Sequence, residues 1–282
     1  MTLTWPVVAA VLLGAMLHAS WNALVKSSSD KALDTAVIHV VGSMLALPLA
    51  LVIGWPVAAA WPFILTSALV HIGFYIALTG AYKHGDLGLT YPLMRGTAPL
   101  LVALSSATVL GETLSPLAWA GVLGVSGGVL ALGLSRHAMD SPRAVGFALA
   151  NAVVIAIYTV VDALGARTSG NALQYVVALF VIDGWPFALL VFARRGGAKV
   201  WPYARARWPV AALGAAASLG SYGIALWAMT RAPVATVAAL RETSVLFAAL
   251  LGTWFLKEVF SLRRALGTAA IVAGVMALRI GG

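Results

Sequence analysis

Residues 90–112 read TYPLMRGTAPLLVALSSATVLGE, and residues 236–258 read TVAALRETSVLFAALLGTWFLKE. Written one beneath the other, Thr90 meets Thr236, Arg95 meets Arg241, Thr97 meets Thr243, Leu100 meets Leu246, Leu104 meets Leu250, Leu110 meets Leu256 and Glu112 meets Glu258. The offset is constant at 146 (241 − 95). It continues without a gap through Ser115 and Ser261, Gly121 and Gly267, Gly128 and Gly274, Val129 and Val275, Ala131 and Ala277, and Leu132 and Leu278. Upstream, with one residue inserted, Gly73, Tyr75 and Ala81 match Gly220, Tyr222 and Ala228. Shared apolar composition does not produce matches at this density, so the chain is read as two copies of one unit.

The solvent for that unit follows from composition. The 282 residues are 61% hydrophobic and 10% charged, with a mean hydropathy of +0.96, and apolar runs of about twenty residues recur along the chain. Charge clusters, Pro and Gly divide these runs into ten expected spans, at 5–25, 33–54, 57–82, 86–110, 114–134, 142–166, 171–193, 208–230, 233–256 and 262–280. Period-two alternation, the mark of a membrane barrel, is missing, so the expected fold is an all-α polytopic membrane bundle. Five spans per copy is an odd number, which turns the second copy upside down relative to the first and makes a 5+5 inverted repeat. The expected units are residues 1–137 and 138–282. Inverted repeats are typical of secondary transporters, with a substrate site near the membrane midplane.

Most of the eighteen Lys and Arg fall in the connections after helices 1, 3, 5, 7 and 9, against Arg167, Arg231 and Arg279 on the other side. By the positive-inside rule both termini face away from the cytoplasm. The first span follows MTLT, without the charged region and cleavage site of a signal peptide, and is read as a retained helix. The net charge of +9 lies in short connections and forms no soluble basic face, so nucleic acid is not expected as a partner. The chain has no cysteine, which excludes disulfides and thiolate metal sites. Six Trp precede Pro. Those at 5, 55, 61, 201 and 208 read as interfacial anchors at helix starts, and Trp185-Pro186 as a kink inside span seven.

Charge inside the spans marks the candidate site. Arg95 lies about 13 Å into helix 4 and Arg241 at a similar depth in helix 9, at 1.5 Å per residue. An isolated arginine at that depth is expensive, so each needs an aqueous cavity or a partner. A guanidinium fork suits a carboxylate or phosphate of a substrate. An internal ion pair, with Glu242 or Asp183 neutralising either arginine, is the alternative. Glu242 points about 100° away from its neighbour Arg241, so the two need different partners. His18, Trp21 and Asn22 share a stripe of helix 1, and polar aromatics recur at His71, Tyr75 and Tyr82 in helix 3, Tyr91 in helix 4, Tyr158 with Asp162 in helix 6, and Ser218, Tyr222 and Trp227 in helix 8. Together these groups would form a pocket able to stack an apolar or aromatic side chain and hydrogen-bond its polar end. Taken singly, each also suits an interhelical hydrogen bond. The duplicated glycines suit close helix packing, and Glu112 and Glu258 suit the N-termini of the helices that follow them.

The duplicated ten-helix layout, the Gly/Pro-rich fourth helix ending in Gly111-Glu112, its echo in Lys257-Glu258, and Gly121 and Gly128 in the fifth helix resemble the drug/metabolite transporter superfamily with two EamA-type domains. Within it the layout looks most like bacterial amino-acid and metabolite exporters of the YddG type. The resemblance implies a central cavity lined by helices 1, 3, 4, 6, 8 and 9, alternating access to it, and no cofactor. It also implies residence in a bacterial inner membrane, with a small-molecule substrate and surrounding lipid as partners and a monomer as the working unit. Amino acids or related small metabolites are the expected cargo. A proton-coupled carrier needs a buried carboxylate in its path, for which Asp162, Asp183 and Glu242 are candidates, while facilitated transport stays open because none is duplicated. A channel or lipid scramblase is the competing reading. An intramembrane enzyme is a more distant one, since the five histidines form no HExxH pair and no GxSxG elbow or P-loop is present.

Overall fold

The computed structural model describes residues 3–85, 87–133, 141–248 and 262–281. Lys257, Glu258, Arg136 and the expected unit boundary at 137 lie outside them. The described chain is helical throughout: α1 (Trp5–Lys26), α2 (Lys31–Ile53), α3 (Trp61–His84), α4 (Leu87–Val109), α5 (Pro116–Gly133), α6 (Pro142–Ser169), α7 (Ala172–Arg195), α8 (Gly197–Met229), α9 (Val234–Arg241) and α10 (Leu262–Gly281). A short 3₁₀ turn, Ala58–Ala60, precedes α3. Six helices, α1, α2, α3, α6, α7 and α8, are long and apolar enough to cross a membrane. Their outer faces carry large apolar side chains into the surroundings, with Val52 84% and Leu51 71% exposed. Lipid is the solvent in which such a surface is stable.

Helix starts follow from side-chain caps. Ser141 accepts from the Ala144 N–H at the head of α6, and Asn171 accepts from the N–H groups of Leu173 and Gln174 at the head of α7. Each supplies an acceptor for N–H groups that have no partner within the helix. Gly170, at φ 70, closes α6 in the left-handed conformation and lets α7 begin two residues later.

Helix α8 departs from expectation. It starts at Gly197, eleven residues before the expected 208, so Trp201-Pro202 and Trp208-Pro209 lie within the helix instead of at its head. The reason is a stripe at helical spacing. Val200, Tyr203 and Ala204 pack on the core around Leu33, Val37 and Ala211, and Arg207, one turn on, pairs with Asp34. Tertiary contacts thus order a stretch whose polarity resembles a loop.

The helices meet in antiparallel pairs: α5 with α10, α2 with α7, α3 with α6 and α1 with α8. Glycine sets the closest of these contacts. A Cβ on Gly121 would stand 2.8 Å from the Gly274 carbonyl oxygen, and one on Gly128 would stand 2.8 Å from that of Gly267. Leu278 crowds Gly121 as Leu132 crowds Gly267. Under the exchange of residues 146 apart, each of these contacts becomes the other.

One end of the bundle is tied by charge. Asp30 caps α2 through the Leu33 N–H at 3.2 Å. It also accepts from Arg195 at 2.9 and 3.2 Å and from Lys199 at 3.2 Å. Asp34, fully buried, accepts from Arg207 at 3.0 and 3.2 Å and from the Tyr203 hydroxyl at 3.0 Å. Burial pushes the Asp30 carboxyl upward, but the donors from Arg195, Leu33 and Lys199 outweigh it and hold it below the ordinary carboxylate range. A group depressed on folding contributes stability that is present above its unfolded pKa of about 3.9 and is lost as pH falls through the folded value. Melting temperatures in detergent are therefore expected to drop on acidification below about pH 4. Asp30→Asn should flatten that drop, and an unchanged acid limb in the variant would count against this coupling.

Candidate functional site

Both duplicated arginines stand where their helices are irregular. Arg95 is flanked by Pro92 and Pro99 inside α4, each of which removes a backbone donor. Arg241 ends the regular part of α9. Beyond it the chain tightens into i→i+3 bonds, with the N–H groups of Glu242, Thr243 and Val245 donating to the carbonyls of Ala239, Leu240 and Glu242, before residues 244–248 return to helix. A 3₁₀ interruption between helices exposes backbone polarity, which away from water is stable only against protein or a water-lined cavity.

At this junction Arg95 donates from Nε to Oε2 of Glu242 at 2.8 Å. Both residues are buried, at 8% and 4% exposure. Nη2 of Arg95 is buried with no hydrogen-bond partner. Arg241 does not join this pair. Its guanidinium lies over the Tyr222 ring, 5.3 Å from the centroid, within electrostatic range of His18, Tyr158 and Glu242. At the junction itself two guanidinium groups meet one carboxylate, and the next carboxylate, Asp162, lies beyond Tyr222.

The Tyr222 hydroxyl donates to Oδ2 of Asp162. Asp162, fully buried, takes a second donor from Tyr175 at 2.8 Å. His71 stacks on Tyr158 with centroids 4.4 Å apart and faces Asp183 at 3.7 Å. Tyr75 turns toward α2 and α7, where its hydroxyl lies 2.6 Å from His39 Nε2 and its ring stacks on Phe187.

Of the expected site residues, the structure thus gathers Arg95, Arg241, Glu242, Tyr222, Asp162, Tyr158, His71 and His18. Tyr91 lies within electrostatic range of Arg95. Trp21 and Asn22 are bonded within α1, to His18 Nδ1 at 3.3 Å and to the His18 carbonyl at 2.8 Å. Tyr82 is 40% exposed, and Ser218 is half-buried on α8. Trp227 sits away from the cluster, under Arg231. There it lines a cavity of about 470 Å³ at the opposite end of the bundle from Asp30, with Arg167, Asn171 and Thr230, and shares that cavity with no other expected site residue. Sequence reasoning did not pair Asp183 with His71, nor did it expect His39 to face Tyr75. Glu112 serves a helix N-terminus, but that of α9: its carboxylate accepts from the Val234 N–H at 2.8 Å and from Arg167 at 2.6 Å.

Residues 142–280, just under half of the chain, match the EamA-like transporter family. This part of the chain is similar to the EamA-like domains of the drug/metabolite transporter superfamily, and the apolar helices make the protein a multi-pass membrane protein. A solved structure, described only as the crystal structure of a protein, is similar over 96% of this chain and 98% of its own, with a TM-score of 0.73 and 21% identity. At that identity the likeness is one of fold.

Proposed function

We propose that the chain is a secondary transporter of amino acids or closely related small metabolites, exporting them across a bacterial inner membrane by alternating access. The observation that carries this reading is the meeting of two arginines, Arg95 and Arg241, with one carboxylate, Glu242, at the break in α9, between the helices. A guanidinium seated on a ring face and making no hydrogen bond among the described residues, beside a buried Nη2 without a partner, suits the carboxylate of an incoming solute. Around it His18, Tyr158 and Tyr222 offer ring faces for an apolar or aromatic side chain. The reciprocal glycine contacts of α5 and α10, and the antiparallel α2–α7 pair, support two inverted repeats at 1–137 and 138–282. In this reading the halves rock about the charged junction, both termini face away from the cytoplasm, and a monomer suffices.

The test is flux through the purified protein in liposomes, across labelled amino acids, nucleosides and organic cations. Saturable exchange of amino acids is expected. Flux that never saturates would make the protein a channel, and lipid movement in vesicles holding no solute would make it a scramblase.

A further inference from the structure

Two carboxylates lie in the spanning region without a lysine or arginine ion pair among the described residues: Asp162 on α6 and Asp183 on α7. Asp183 is the twelfth of the 24 residues of α7, so about 17 Å of helix separates it from either end. Two bare negative charges at that depth are not stable together in hydrocarbon, so a cation must accompany them. The structure puts one titratable group between them. His71 faces Asp183 at 3.7 Å, lies within electrostatic range of Asp162, and has Ser67, one turn before it, 3.3 Å from its imidazole. His71 Nδ1 lies 3.0 Å from the Ser67 carbonyl, an acceptor, which fixes the proton on Nδ1 and leaves Nε2 to take a second. Only a histidine, or the carboxylates themselves, can gain and lose that charge within the cycle of a carrier.

We propose that His71, Asp162 and Asp183 form a proton-binding site, and that proton occupancy there is linked to the substrate site through Tyr222. That tyrosine belongs to both. Its ring carries the Arg241 guanidinium and its hydroxyl holds Asp162. A solute that draws Arg241 away from the ring alters the hydrogen bonding of Asp162, and the proton count of the cluster adjusts. The proton moves as H⁺ between the aqueous phase and either Nε2 of His71 or a carboxylate oxygen, with no other bond made or broken. The linkage to substrate rests on the transporter reading, while the proton site itself does not.

The other titratable groups that interact with His71 are His39 from α2 and Tyr158 from α6. His39 is committed elsewhere: its Nδ1 donates to the Thr35 carbonyl at 2.7 Å, so its Nε2 accepts from Tyr75. Arg95 is bound to Glu242 and Arg241 to the Tyr222 face. Neither is ion-paired with Asp162 or Asp183.

Asp183→Asn keeps the shape and removes the titration. In liposomes the variant is expected to retain amino-acid counterflow at equal pH, within about two-fold of the original chain, yet lose uphill accumulation driven by a pH difference. Asp183→Glu should restore accumulation. Accumulation that survives in Asp183→Asn, or a pH difference that drives nothing in the original chain while counterflow proceeds, overturns the linkage. Infrared titration of the purified protein decides the site without any solute. A protonated carboxyl band that titrates with the His71 ring and is lost in Asp183→Asn or Asp162→Asn supports it. Carboxylates that stay ionised beside a neutral His71 over the whole stable range overturn it. Absence of counterflow in the original chain would sink the transporter reading alone.

Discussion

Replacing Arg95 with alanine is expected to lower the stability of the purified protein by about 3–5 kcal/mol, because it strands the Glu242 carboxylate in a site where only 4% of the residue is exposed. The pair itself need not be strongly stabilising, since desolvation of both ions offsets much of their attraction. Breaking it is what destabilises. The double variant Arg95→Ala with Glu242→Gln therefore separates structure from function. It should melt well above the single variant and still carry no substrate, because the Nη2 donor is gone. Differential scanning fluorimetry in detergent, alongside liposome flux, checks both halves. A single variant that melts like the original chain would mean that Arg241 swings from Tyr222 to take over Glu242.

Arg241→Gln is expected to behave in the opposite way. The guanidinium touches an aromatic face, worth about 0.5–2 kcal/mol, so the fold should persist with a small shift in melting temperature. Substrate affinity should fall by about 10- to 100-fold, the equivalent of one or two charge-assisted hydrogen bonds of about 1.5–3 kcal/mol in all. Arg241→Lys keeps the charge but not the fork, and should fall between the two. The half-saturation concentration for counterflow reads the effect. A variant with unchanged half-saturation would assign Arg241 to structure and leave Arg95 Nη2 as the anion's only candidate donor at the junction.

The all-helical class was legible because it depends on local runs of residue type. The partners of Arg95 and Arg241 were only half legible. Glu242 was on the page as a possible counter-ion, but its choice of Arg95 over its own neighbour depends on how α4 crosses α9, 147 residues apart in sequence. The aromatic seat of Arg241 depends likewise on α8. His71 and Asp183 meet across 112 residues, from α3 and α7, so no spacing announces them. Helix α8 was read eleven residues short because Lys199, Arg205 and Arg207 suggest a connection, whereas Asp30 and Asp34 bind Arg195, Lys199 and Arg207 and turn that polarity into interhelical contact.

The glycine seam between α5 and α10 is isologous, since the same surface lies on both sides and maps onto itself when residues 146 apart are exchanged. Such a surface on a separate chain would be a dimerisation patch, ready to pair with a second copy in the same bilayer. Here both sides of the seam belong to one chain, which satisfies the patch internally. The seam is thereby withdrawn from the lipid-facing exterior, and its two sides are held at one to one by the peptide chain that joins them instead of by protein concentration in the membrane.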